Sequence, residues 1–88
     1  MSTPITTPPD LTRTLAALAD YDQIDAEIAD DMTEAAATDF FARLDAAKLA
    51  IGDAFALDTA DRNDPETARS WAAFNVEHTR EFVLYLTR

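Results

Sequence analysis

Apolar side chains recur at Leu11, Leu15, Leu18, Tyr21, Ile24, Ile28 and Met32, in steps of 4, 3, 3, 3, 4 and 4. This spacing predicts a helix over about 10–30 that buries one side, and the alternation by two that would mark a strand is missing. A second stripe, Ala36, Ala37, Phe40, Leu44, Ala47, Ile51 and Phe55, predicts a helix over about 32–57, with Phe41 at its edge and Leu49 nearly opposite. Gly52 lies inside this stripe, where glycine costs ~1 kcal/mol relative to alanine, and marks either a close helix crossing or early fraying. The segment LDTADRNDPET reads as a loop. It ends in Asp64–Pro65, a side-chain acceptor at the N-cap followed by a residue preset for the first turn. A third helix over about 65–87 carries Ala68, Trp71, Ala72, Phe74, Phe82, Val83, Tyr85 and Leu86 on a broad apolar side.

The first boundary has no Gly or Pro to mark it. A turn near 29–32 is expected, because one unbroken helix from 10 to 57 would reach ~70 Å and a monomer could not bury its stripe. Asp31 and Glu34 have the capping-box spacing for a second start. Residues 1–9 hold three of the four prolines, which predicts an extended arm ending where Asp10 can cap a helix. The expected fold is all-α: a three-helix antiparallel bundle forming a single helical domain over 10–88, behind a short extended N-terminal arm.

Charge changes this picture. Seventeen acids oppose seven bases among 88 residues, a net charge of −10. Such a chain repels nucleic acid and anionic membranes, so direct binding to either is not expected, and a basic protein surface is the expected partner. Simple solubility, high-salt adaptation or a high-GC genome would give the same excess. Cysteine is absent, so no disulfide staples the fold. The start MSTPITTPPD lacks a signal-peptide pattern and no apolar run approaches a membrane span, which together predict a soluble, cytoplasmic or virion-associated protein.

The acids concentrate in DYDQIDAEIADDMTEAAATD, residues 20–39, and no Lys or Arg occurs between Arg13 and Arg43. If helical, Asp20, Asp22, Asp25, Glu27, Asp30 and Asp31 place one charge per ~3 Å of axis, near the ~3.4 Å per charge of a DNA strand. Asp20, Glu27, Asp30, Asp31 and Glu34 are therefore the candidate partner-binding acids. They suggest a small non-enzymatic inhibitor or regulator that occupies a nucleic-acid-binding surface by charge mimicry. Phage- and plasmid-borne inhibitors of restriction or CRISPR machinery use that device, although no motif of such a family occurs here. The plain alternative is a solvated helix face.

His78 is the only histidine. With no nucleophile or ligand cluster around it, no catalytic constellation forms, and neither a metal nor a cofactor is expected. On a continuous third helix His78 and Asn75 fall inside the apolar side. Asp25 shares a heptad position with Leu11, Leu18 and Met32. Asp25, Asn75 and His78 are therefore candidates for a buried polar set that fixes register, unless the first helix is straight enough to turn Asp25 outward. Tyr21, Leu49, Leu57, Trp71 and Leu84 are candidate apolar anchors for an interface. A structural homo-oligomer, such as a homodimer paired through the aromatic side of the third helix, is the competing reading.

Overall fold

The computed structural model describes residues 10–86; the expected arm over 1–9 and the expected helix end at 87 lie outside the described residues. The described chain is all-helical, with α1 over Thr12–Asp25, α2 over Glu34–Asp58, α3 over Pro65–Phe74 and α4 over Val76–Leu86. The third expected helix is thus two helices. Asn75 breaks it, with φ −135° and ψ 56°, while its side-chain amide donates to the Trp71 carbonyl at 2.9 Å. An asparagine side chain that bonds the preceding turn competes with the helical ladder, and here that competition ends α3. The buried Thr79 hydroxyl stabilises the corner by donating to the Asn75 carbonyl at 2.9 Å.

The first helix ends at Asp25 rather than near 30. Beyond Ala26 the backbone closes i→i+3 bonds, Glu27 to Ile24 and Ile28 to Asp25. Asp25, Glu27, Asp30 and Asp31 crowd a helix C-terminus, whose dipole disfavours negative charge, and no basic residue lies in the last turn. Thr33, not Asp31, caps α2: its hydroxyl accepts from the Ala36 amide at 3.1 Å. Asp64 caps α3 as expected, accepting from the Thr67 amide at 3.0 Å.

α2 is the central element and packs against both α1 and α3. Its buried positions Phe40, Leu44, Ala47, Ile51 and Phe55 follow the expected stripe. On α1 the buried face is Leu11, Thr14, Ala17 and Leu18, with Tyr21 partly buried, so the stripe is rotated and Leu15 and Ile28 are exposed. On α4 the corner turns Val76, Thr79 and Val83 inward, leaving Tyr85 outside, and Phe74 at the corner is 82% exposed.

The α2–α3 crossing depends on Gly52. A Cβ there would stand 2.5 Å from the Arg69 carbonyl oxygen and 3.2 Å from the Ala73 Cβ. The glycine therefore marks a close crossing, not fraying. Alanine would gain helix propensity but force two backbones apart. Gly52→Ala is expected to lower unfolding free energy by about 1–2 kcal/mol in urea denaturation; a gain would contradict the crossing.

Candidate protein-binding surface

α1, the loop and α2 form a hairpin. The contacts of α3 and α4 with α2 fall from Asp45 onward: Arg69 meets Asp53 at 2.7 Å, Trp71 and Phe82 meet Phe55, and Asp45, Lys48 and Leu49 line the groove at the α3–α4 corner. The loop and first turns of α2 are therefore the far end of the hairpin, and most of the candidate acids collect there.

They do not form a helical ridge. Asp20 lies in α1 and Glu34 opens α2, but Glu27, Asp30 and Asp31 sit in the connecting loop. The constant rise of a helix does not carry across that loop, so the spacing expected to imitate a DNA strand does not hold. Glu27 is also already engaged: both its oxygens meet the Arg43 guanidinium at 2.6 Å, which ties the loop to α2. Asp22 is engaged likewise by Arg80 of α4, through two bonds of 2.7 Å. Among the described residues, Asp20, Asp25, Asp30, Asp31 and Glu34 make no ion pair, and all five are exposed. Apolar side chains accompany them, with Ile28 60% exposed in the loop and Phe41 exposed on α2 beside the buried Phe40.

The buried register set is not formed. Asp25 and His78 are both exposed, and Asn75 caps α3. Asp25 is the last residue of α1 and faces outward there, and the corner at Asn75 swings His78 outward. His78 lines a shallow groove with Asn75 and Glu81. Among the described residues, no three His, Cys, Asp or Glu side chains are placed to hold a metal ion, and no helix is long and apolar enough to cross a membrane.

Of the expected apolar anchors, Leu49, Leu57, Trp71 and Leu84 are exposed, whereas Tyr21 packs against the core. Burial, then the carboxylates of Asp25 and Glu77, push the Tyr21 hydroxyl above its ordinary pKa. Leu49 and Phe74 border a corner groove of about 640 Å3. Sequence reasoning missed the exposed Ile28, Phe41 and Phe74 because continuous helical stripes assigned Ile28 and Phe74 to the core. Arg43 and Arg80 carried no sequence signal beyond their scarcity.

No known protein family, characterised protein or solved structure matches this chain.

The Arg80 hydrogen bonds hold the Asp22 carboxyl below the usual carboxylate range, against a smaller opposing effect of burial. A depressed folded-state pKa stabilises above the unfolded value of ~3.9 and is lost as pH falls through the folded value. Asp22→Asn is therefore expected to lower the thermal midpoint at neutral pH, and to show a smaller further drop than wild type between about pH 4 and pH 2. Parallel losses in the two proteins would contradict this role.

Proposed function

We propose that this chain is a non-enzymatic protein-binding module that docks its acidic hairpin end on a basic protein surface, of the kind that otherwise holds nucleic acid, and so acts as an inhibitor or regulator. The observation that carries the reading is the division of the acids. Those at the ties between helices, Asp22, Asp53, Asp58 and Glu27, are met by arginines, while Asp20, Asp25, Asp30, Asp31 and Glu34 are left without a cation. The α1 C-terminus adds its own negative dipole to that end. Long-range attraction would speed encounter, and Ile28 and Phe41 would supply the desolvated contacts that set complex lifetime. Competition with nucleic acid comes from occupying the same basic surface; strand-like charge spacing is not required.

A second reading, a homodimer joined through the α3–α4 side, draws on the exposure of Phe74 and Tyr85. The net charge of −10 opposes self-association.

Capture from the native host tests the first reading. The wild-type chain is expected to retain a basic nucleic-acid-binding protein that high salt releases, and the purified pair is expected to form at the expense of nucleic acid binding. A D20N/D30N/D31N/E34Q variant should retain little of that protein at low salt. Equal retention by the variant would reject the reading, and a concentration-independent dimer in sedimentation would favour the second.

A further inference from the structure

Trp71 of α3 borders three adjoining surface grooves. One, of about 330 Å3, is lined by Phe55, Trp71 and Phe82. The three ring centroids lie 5.5, 5.9 and 6.1 Å apart. Phe55 is buried beneath, whereas Trp71 and Phe82 remain 38% and 40% exposed. Carboxylates flank this aromatic patch on both sides. Glu66 borders the groove along α3 and Glu81 the groove along α4. Asp64 lies on the rim too, but its carboxylate is engaged in capping Thr67. Among the described residues, neither Glu66 nor Glu81 makes an ion pair, and no Lys or Arg lines any of the three grooves.

Part-exposed aromatic rings with a carboxylate rim and no lysine or arginine along the grooves complement an organic cation. The ring quadrupole attracts positive charge, and a guanidinium adds planar stacking, weak hydration and a fork that fits a carboxylate. A second copy of the chain would bring further acids against the same rim, which charge opposes.

We propose that this aromatic groove is an arginine-binding subsite, in which a guanidinium side chain of a protein partner stacks on Trp71 and pairs with Glu66 or Glu81. The subsite deepens the reading of a basic partner and rests on it for biological meaning. It is built from residues outside the hairpin end, so the two fail separately.

Trp71 is the only tryptophan, so its emission reports on the groove directly. The full chain is titrated with an acetylated, amidated tri-arginine peptide, with the tri-lysine peptide, and with tri-citrulline, which keeps the shape without the charge. A saturable change with tri-arginine is expected, weaker binding of tri-lysine, and none of tri-citrulline. The paired substitution Glu66→Gln and Glu81→Gln, both at the surface, should weaken tri-arginine binding about three- to thirtyfold while circular dichroism stays unchanged. The D20N/D30N/D31N/E34Q variant should bind within about twofold of wild type, since none of its four positions lines any of the three grooves. The proposal is overturned by the absence of a saturable response, by equal responses to arginine and citrulline or to arginine and lysine, by indifference to the paired glutamate substitution, or by loss in the hairpin variant. An intact arginine response alongside equal partner retention by that hairpin variant would remove the hairpin reading alone.

Discussion

One buried carboxylate joins the two open ends of the helical hairpin, opposite its loop. Asp58, in the last turn of α2, has a side chain with 0% exposure. It accepts from the Thr14 amide at 2.9 Å, the Thr14 hydroxyl at 2.8 Å and the Arg13 guanidinium at 3.0 Å. A carboxylate removed from water is costly unless its oxygens are bonded, and here both are. The exchange also serves α1, whose first amides have no acceptor within the helix. Asp10 receives the Thr12 amide and Asp58 the Thr14 amide, so the positive end of the α1 dipole meets two negative groups. With its start held there and its later turns held by Asp22 on Arg80, α1 cannot slide along α2. The loop that follows inherits a fixed position.

The same scarcity of cations that makes these ties few also shapes the surface. Seven basic residues serve seventeen acids. Arg13, Arg43, Arg69 and Arg80 each bridge different elements of the fold, to Asp58, Glu27, Asp53 and Asp22. The three exposed pairs, made by Arg43, Arg69 and Arg80, contribute little individually, about 0–1 kcal/mol. The consequence of the four ties is positional: Arg13, Arg69 and Arg80 are held away from the loop, and Arg43 meets Glu27 there but leaves Asp30, Asp31 and Glu34 unpaired. Charge asymmetry on this molecule thus follows in part from how it is fastened, since residues 20–39 hold eight acids and no base.

The elements legible in sequence were those set by local chemistry and long periodicity. The stripe from Phe40 to Phe55 and the Asp64–Pro65 start follow from residue type and spacing, whereas Gly52 was legible only as either a close crossing or a frayed turn. The breaks were not legible. Asn75 and the acids from Asp25 to Asp31 end helices without Gly or Pro, through side-chain competition and an unfavourable dipole, and both effects are small enough for packing to decide. Once α1 stopped early and α3 turned at Asn75, Ile28, His78 and Phe74 moved from an apparent interior to the surface. The acidic concentration survived this shift because it depends on sequence position, whereas its strand-like spacing depended on helix and did not survive. Asp58 was invisible for another reason: its donors lie 44 and 45 residues away.

The anchoring of α1 by Asp58 is open to a direct measurement, native-state hydrogen exchange at the Thr14 amide. The third amide of a helix ordinarily exchanges by local fraying because nothing in the helix accepts it. Bonded to a buried carboxylate, the Thr14 amide is expected to exchange as slowly as the α2 core amides near Ile51, through global unfolding. Exchange at the rate of a frayed helix end would contradict the account.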